Sequence, residues 1–170
     1  NPRDALKTVQ SSASGKVKVA VTDIDGVMRG KYLHKDKFLS AVEGGFGFCD
    51  VVFGWDMMDV TYDNTTLTGW HKGFPDVTAR IDLGTLRTVP WDGGVPFFLA
   101  DFVTRKDGKE APLPICPRQV LKRVLKQYGV DDERVRLEWI SASEGDRVQH
   151  TINEMTAELR RLGPWHHARS

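Results

Sequence analysis

The stretch from Val19 to Lys31, Val-Ala-Val-Thr-Asp-Ile-Asp-Gly-Val-Met-Arg-Gly-Lys, decides which fold the chain adopts. Valine recurs at every second position from residue 17 to residue 21, which is the period-two pattern of a β-strand. Asp25-Gly26 then favours a tight turn, because glycine adopts left-handed backbone conformations at little cost. We expect the chain to return as a second strand over residues 27–33, so the stretch predicts a β-hairpin.

Helices and further strands are predicted after the hairpin. Apolar residues at helical spacing predict one helix over residues 34–42, ending at Gly44-Gly45, and another from Pro117 to Gly129. β-Branched, aromatic or alternating residues predict extended segments over residues 46–55, 77–83, 86–91 and 95–104. Strands dominate the region, so we predict an α+β fold over residues 17–129, with one sheet and one or two packed helices.

A polar segment over residues 56–70 is rich in Asp, Asn, Thr and Gly and is predicted to be a loop. Loops of this length are uncommon inside compact domains, because they bury too little apolar surface to order themselves. Those that occur are usually functional or held by a neighbour. We therefore expect this loop to contribute to a site or to a contact.

Composition and charge restrict the classes of partner. The 170 residues include 24 Lys and Arg against 23 Asp and Glu, so no global field steers the chain to nucleic acid or to an anionic membrane. Apolar stretches such as residues 95–100 are far shorter than the ~20 residues of a membrane-spanning helix, and we expect a cytoplasmic protein. Cys49 and Cys116 have no Cys or His at metal-ligand spacing, so we predict no metal site.

Asp23 and Asp25 support a first hypothesis for catalysis. An apolar strand that ends in Asp-x-Asp-Gly resembles the site of haloacid-dehalogenase-like phosphatases, in which the first Asp is the nucleophile, the second is the acid/base and both share Mg²⁺. That family continues as alternating strands and helices, which this sequence does not predict. The alternative is that Asp25-Gly26 only turns the hairpin. Arg29 and Lys31 could face an anionic partner or substrate, but charged residues on a hairpin more often form a solvated face that protects a sheet edge.

A longer ordered set of motifs resembles a different family. The set consists of Asp25-Gly-Val-Met-Arg-Gly-Lys31, the segment from Gly45 to Trp55, Val89-Pro-Trp91 and Cys116-Pro-Arg118. In this order, with strand, turn, strand and helix between them, the motifs resemble the N-terminal β-grasp domain of glutamine synthetase-type ligases. The likeness is greatest to the bacterial paralogues that make γ-glutamyl amides of amines. It covers residues 17 to about 127 and implies a β-grasp sheet.

This resemblance implies a role in an ATP-dependent ligase. In the family, ATP phosphorylates the glutamate side chain, Mg²⁺ or Mn²⁺ neutralises the phosphates, and ammonia or an amine displaces the acyl phosphate. ATP and the metal ions bind to the large catalytic domain. The β-grasp domain supplies one wall of the active site of the neighbouring subunit in a ring.

Three residues of this sequence match that wall. Asp50 takes the place of the family's catalytic Asp, although Val51-Val52-Phe53 replaces the small and hydroxyl residues that usually follow it. Trp55 and Asp56 are candidate substrate-binding residues at the mouth of the loop. The alternatives are that Asp50 caps a turn, that Trp55 belongs to the core and that Asp56 is simply solvated.

The sequence after Tyr128-Gly129 leaves no room for the family's catalytic domain. Only 41 residues follow, where the family has roughly 300, more than one domain's worth of chain. Arg136 stands where the first carboxylate of a Glu-x-Glu strand would be, and an Arg cannot bind a cation. The chain also begins with Asn1 rather than Met. We expect a truncated, catalytically incomplete domain that works in a homo-oligomer or with a full-length ligase.

Residues 130–164 resemble the C-terminal end of the delta iron–sulfur subunit of hydrogenase and heterodisulfide reductase complexes. Alternating residues predict a strand over residues 135–139, and Ser143 with Asp146 predicts the start of a capped helix. The apolar seam of this helix consists of Val148, Ile152, Met155, Leu159 and Leu162. The family's cluster-binding cysteines are absent, so the resemblance implies an adaptor of a redox complex without its cluster, docking around Ile152 and Leu159.

The predicted organisation has four parts. They are a mobile lead-in over residues 1–16, the β-grasp domain over residues 17–129, a strand and helix over residues 130–164 and a disordered tail over residues 165–170.

Overall fold

The computed structural model of the chain describes residues 2–136 and 144–165. Two compact units make up the chain, residues 1–120 and residues 121–170. In the described ranges no helix is both long enough and apolar enough to cross a membrane.

The first unit contains a six-stranded mixed sheet. Its strands are β1 (Lys16–Thr22), β2 (Met28–His34), β3 (Phe46–Cys49), β4 (Asp76–Val89), β5 (Val95–Lys106) and β6 (Lys109–Pro112). The order is β2-β1-β5-β4-β3, with β6 paired to β5. β1 and β5 run parallel, and the other neighbours run antiparallel. The predicted α+β fold with one sheet is confirmed.

The predicted hairpin forms around Asp25-Gly26. β1 and β2 pair from Lys16 with His34 to Thr22 with Met28. Gly26 has a φ of 82°, the left-handed conformation that the turn requires and that glycine adopts without strain. The three valines of β1 are fully buried, because β1 lies inside the sheet between β2 and β5.

Four α-helices accompany the sheet in the described residues. They are α1 (Pro2–Ser11), α2 (Lys35–Gly44), α3 (Pro117–Gln127) and α4 (Gly145–Leu162). The prediction of a mobile lead-in over residues 1–16 was wrong for most of its length. Ala5 and Val9 lie one helical turn apart and are both buried in the core, so α1 is held by its apolar face.

The core of the first unit lies where α2 packs on the sheet. Phe38 of α2 and Phe98 of β5 are fully buried, with ring centroids 4.9 Å apart. Phe102 of β5 is also fully buried, and its ring lies 4.8 Å from that of Phe53. Because Phe53 ends the segment that carries Asp50, this packing fixes one side of the candidate site.

Two extended segments differ from their prediction. β3 is only four residues long, and a 3₁₀ helix over Asp50–Phe53 replaces the rest of the predicted strand over residues 46–55. Residues 77–83 and 86–89 form one strand, β4, whose pairing with β5 shifts register between Asp82 and Arg87. Such an irregularity bends a strand without ending it, which explains why the pattern predicted two pieces.

The second unit contains most of α3 and all of α4. α4 ends at Gly163, as predicted, and Gly163 has a φ of 73°. Arg134 caps this end, donating to the carbonyl oxygens of Gly163 at 3.0 Å and Leu162 at 3.1 Å. Most of the predicted strand over residues 135–139, together with Ser143 and residues 166–170 of the predicted tail, lies outside the described residues.

Candidate functional site

The hairpin turn (residues 23–27) and the loop that follows the 3₁₀ helix (residues 54–62, here the 54–62 loop) meet on one side of the sheet. Ile24 donates its backbone N–H to the carbonyl of Val52 at 3.0 Å, which ties the turn to the 3₁₀ helix. Tyr62 closes the loop by donating its backbone N–H to Gly54 at 2.8 Å. Asp50, Trp55 and Asp56 all lie in or beside these segments.

Asp50 is the first residue of the 3₁₀ helix and is 5% exposed. Its backbone N–H donates to the carbonyl of Pro75 at 3.0 Å. Its carboxylate accepts a hydrogen bond of 2.6 Å from the hydroxyl of Thr68, which is fully buried. A buried carboxylate needs such a donor, because leaving it unpaired is costly. The sequence offered no signal for Thr68, since its partner lies 18 residues away.

Trp55 is half-buried at the start of the 54–62 loop. It forms an isolated antiparallel bridge with Thr61. The guanidinium carbon of Arg29 lies 4.7 Å from the centroid of its ring, which is cation–π geometry. Its indole nitrogen is shielded from solvent and has no hydrogen-bond partner in the part of the chain that the structure describes.

Asp56 uses its carboxylate to shape the loop. One oxygen accepts hydrogen bonds from the backbone N–H groups of Met58 at 2.8 Å and Val60 at 3.0 Å. Its backbone N–H donates to the carbonyl of Val60 at 2.9 Å. The tip of the loop exposes Met57 (65%), Met58 (75%) and Val60 (60%), so its polar groups point inward and its apolar groups outward.

Arg29 is not part of a solvated face, because its side chain is only 17% exposed. Its Nε donates to Asp23 at 2.7 Å, and its other nitrogens donate to the carboxylate of Asp59 and the carbonyl of Asp56. The hydrogen bond with Asp23 is the main cause that raises the pKa of Arg29. Lys31, in contrast, is exposed, and its Nζ donates to the carbonyl of Gly47 at 2.8 Å.

The geometry around Asp23 does not suit a phosphatase nucleophile. Asp23 is fully buried. One of its oxygens accepts from the backbone N–H groups of Asp25 at 3.0 Å and Val27 at 2.8 Å, and the other accepts from Arg29. Both oxygens are therefore committed to the hairpin turn. Within residues 2–136 and 144–165 no group of three or more His, Cys, Asp or Glu side chains could hold a metal ion.

Tyr62 adds an aromatic hydroxyl to the same region. Its pKa is raised, first by burial and then by the negative charges of Asp25, Asp56 and Asp23. Tyr62 is itself 39% exposed. The region thus combines acidic groups, the aromatic side chains of Trp55 and Tyr62, and Arg29.

Curated ligases are similar to this chain over most of its length. "Type-1 glutamine synthetase 2" of Dictyostelium discoideum is 47% identical over 146 residues, 84% of this chain and 27% of that protein. "Glutamate--isopropylamine ligase" of a Pseudomonas species is 35% identical over 112 residues, 65% of this chain and 24% of that protein. The chain therefore spans about a quarter of the length of these relatives. An alignment of 146 residues cannot fit within residues 1–127, so the likeness to the first ligase continues into the segment that follows.

Solved structures of the same kind share the fold. A "novel glutamine synthase homolog" superposes with a TM-score of 0.54 and 22% identity, covering 69% of this chain and 27% of that one. A "GmaS/ADP complex" superposes with a TM-score of 0.53 and 18% identity, covering 96% of this chain and 40% of that one. The chain thus shares the fold of the β-grasp-like N-terminal domain of glutamine synthetase-type ligases.

The C-terminal part of the chain is similar to a second family. The family FlpD, "Methyl-viologen-reducing hydrogenase, delta subunit", matches residues 118–163. An iron–sulfur subunit of the F420-non-reducing hydrogenase of Archaeoglobus profundus is 45% identical over 47 residues, 28% of this chain and 34% of that protein. Both predicted resemblances are confirmed.

Proposed function

We propose that this chain provides the N-terminal domain of a glutamine synthetase-type γ-glutamyl ligase, a wall of the active site and a subunit interface. The observation that carries the proposal is the 47% identity to a type-1 glutamine synthetase over 84% of the chain. The first unit, in which Asp50, Trp55 and Asp56 lie on a 3₁₀ helix and the loop after it, supports the proposal because it shares the fold of such a ligase homologue. The ligase would act on glutamate and an amine in the cytoplasm, in a ring of identical subunits or with a full-length partner.

The domain is catalytically incomplete in this proposal. This incompleteness is supported by the lack, within residues 2–136 and 144–165, of a group of three or more His, Cys, Asp or Glu side chains that could hold the Mg²⁺ or Mn²⁺ ions of the reaction. ATP and these ions would be bound by a catalytic domain elsewhere. This chain's own residues would bind and orient the amine and glutamate.

Asp50 is the proposed catalytic residue. A carboxylate beside an attacking amine can accept its proton, which is the role of a general base. The hydroxyl of Thr68 would hold the carboxylate in one orientation during that transfer. Trp55 and Asp56 would line the same wall as substrate-binding residues, with the loop tip at Met57 and Met58 facing the neighbouring protomer.

A domain exchange tests this function. The matching N-terminal segment of the Dictyostelium ligase is replaced by this chain, and γ-glutamyl amide formation from glutamate, ATP and an amine is measured. We expect the exchanged enzyme to be active and Asp50→Asn to lower its kcat by at least about 100-fold, the range for a general base. Asp63→Asn, an exposed aspartate of the same region, is the matched control and should leave kcat unchanged.

Two outcomes would contradict the proposal. If the chain by itself formed γ-glutamyl amides from glutamate, ATP, Mg²⁺ and an amine, it would not be catalytically incomplete. If Asp50→Asn and Asp63→Asn had equal kcat in the exchanged enzyme, Asp50 would not be catalytic.

A second candidate function is an adaptor of a redox complex. It is favoured by the FlpD match over residues 118–163 and by the exposed seam of α4, where Val148 is 39%, Ile152 is 57% and Leu159 is 39% exposed. No side chain of α4 is buried, so the helix has an apolar face available for a partner.

Competition tests the adaptor function. The chain should displace the matching iron–sulfur subunit from the Archaeoglobus profundus hydrogenase complex, measured by release of that subunit carrying a fluorescent label. Ile152→Asp should abolish displacement, whereas Gln149→Asp, which places the same charge at another exposed position of α4, should not. Failure of the unaltered chain to cause any release would exclude this function.

A further inference from the structure

The guanidinium group of Arg29 joins two segments that are far apart in sequence. Through Nε it binds Asp23 in the hairpin turn, and through its two terminal nitrogens it binds Asp59 and the carbonyl of Asp56 in the 54–62 loop. Asp23 is fully buried and its other oxygen accepts from two backbone N–H groups of the turn, so one end of this bridge is held in the protein interior. Arginine suits this role because its planar fork donates in several fixed directions.

The loop adopts a costly backbone conformation to reach Arg29. Asp59 has a φ of 65°, the left-handed region that non-glycine residues rarely adopt. Its carboxylate then pairs with the guanidinium, although Asp59 itself is 59% exposed. Asp59 also donates its backbone N–H to the carbonyl of Asp56 at 3.1 Å, which closes a turn within the loop.

Trp55 depends on the same arginine. An indole ring is usually oriented by a hydrogen bond from its N–H when that group is buried. Here the Trp55 nitrogen is buried and has no partner among the described residues, so no hydrogen bond orients the ring. The ring packs on one side against the hydrophobic core, and its other described contacts are the backbone bridge to Thr61 and the guanidinium of Arg29 over the ring at 4.7 Å.

We propose that Arg29 is a positioning residue, which fixes the orientation of the Trp55 ring and the place of the 54–62 loop on the hairpin turn. Its importance for amine ligation rests on the proposed function, whereas the positioning itself does not. Arg29 thereby holds Trp55 and Asp56, the proposed substrate-binding residues, in position in the wall of the active site.

Fluorine NMR of the full chain labelled with 5-fluorotryptophan tests this role. The sequence has five tryptophans, and Trp55→Phe assigns the Trp55 resonance. We expect Arg29→Gln to shift that resonance and to increase quenching of Trp55 by acrylamide, with the other signals unchanged. Arg29→Lys keeps the cation but loses the fork, so it should restore the resonance in part.

Arg80→Gln is the matched control. Arg80 also joins separate segments, since it binds Glu110 of β6 in bidentate geometry and the carbonyl of Glu43 in α2. It has no contact with Trp55 among those described, so its loss should lower stability without moving the Trp55 resonance. If Arg29 contributed only to stability, Arg29→Gln would behave like Arg80→Gln: it would lower stability and leave the Trp55 resonance unchanged.

An unchanged Trp55 resonance in folded Arg29→Gln would overturn the proposal. If Arg29→Gln does not fold, Arg29→Lys decides, because it keeps a cation beside the buried Asp23 but loses the fork that reaches Asp59 and the carbonyl of Asp56. A Trp55 resonance in Arg29→Lys that is identical to that of the unaltered chain would then overturn it. Because the resonance is read on the isolated chain, this result is independent of any ligase activity.

Discussion

Thr68 donates its hydroxyl hydrogen to the carboxylate of Asp50 over 2.6 Å, and both side chains are shielded from water. The bond joins the start of the 3₁₀ helix to the end of the long polar loop. The loop has little apolar surface of its own, and this buried hydrogen bond holds its end against the 3₁₀ helix. The candidate catalytic carboxylate is therefore also a structural one, and the two roles can be separated by experiment.

Removal of the Thr68 hydroxyl should destabilise the first unit. Thr68→Val keeps the shape but leaves a buried carboxylate oxygen without its donor, which we expect to cost about 1–3 kcal/mol. Thr68→Ser keeps the donor and is the matched control. Urea unfolding followed by circular dichroism measures both. Equal free energies of unfolding for the two variants would show that the hydrogen bond contributes nothing.

A methyl group at Gly54 should disturb the same contact. A Cβ atom there would overlap Cγ2 of Thr68, so we expect Gly54→Ala to destabilise the chain by about 1–3 kcal/mol through overpacking. Thr68→Ser removes Cγ2 and should rescue the variant. Gly44→Ala is the control, because a Cβ atom at Gly44 meets nothing within 4 Å. Equal losses at both glycines would refute the steric explanation.

The pKa of Glu110 should report its ion pair with Arg80. The hydrogen bond from Arg80 is the main cause that lowers the pKa of Glu110. A lowered pKa in the folded state means stability that is present above the unfolded pKa of ~4.3 and is lost as the pH falls through the folded value. We expect Arg80→Gln to raise the pKa of Glu110 towards its ordinary value, measured by carboxyl ¹³C NMR.

The pKa of Glu154, measured in the same titration, is the control for that of Glu110. The pKa of Glu154 is also lowered, mainly by the hydrogen bond from Arg136. Arg80→Gln should leave it lowered. If the pKa of Glu110 stayed low in the variant, another group would be responsible for the shift.

Loss of the Arg134 cap should loosen the end of α4. Arg134 satisfies two carbonyl oxygens that a helix end leaves without partners. We expect Arg134→Gln to speed hydrogen exchange of the Gly163 amide, which bonds to the carbonyl of Leu159. Arg160→Gln removes an exposed charge from the same turn and so controls for the helix dipole. Equal exchange in both variants would assign the effect to charge rather than to capping.

Patterns of neighbouring residues in the sequence predicted those strands, turns and helix ends that neighbouring residues alone stabilise. The alternating valines of β1, the turn at Asp25-Gly26 and the end of α4 at Gly163 all follow from side-chain period and glycine conformation. The prediction for residues 1–16 failed because α1 is stabilised by Ala5 and Val9 packing into the core. That contact forms only when distant strands have assembled beneath the helix.

In the candidate site, too, the sequence predicted what depends on local motifs and missed what depends on contacts between distant residues. Ordered motifs placed Asp50, Trp55 and Asp56 in the family's active-site wall, and their catalytic and binding roles remain predictions. The side chains that hold them, Thr68 and Arg29, were missed or were assigned to a solvated face. Thr68 belongs to no motif, and the motif that contains Arg29 does not reveal its contacts with the loop, since Thr68 and Arg29 each act on a residue 18 or more positions away.

The sequence by itself determined the fold class, the hairpin, the C-terminal ends of α2 and α4, and the likeness to two families. The fold class, the hairpin and these helix ends depend on backbone preferences and apolar spacing, which are properties of neighbouring residues, whereas the two resemblances rest on ordered motifs. Only the tertiary structure decided that Asp23 is a buried partner of Arg29, that Asp50 is bonded to Thr68 and that Trp55 stacks on a cation. Burial and charge pairing arise when separate segments meet, because the low polarity of the interior then requires each charged group to find a partner.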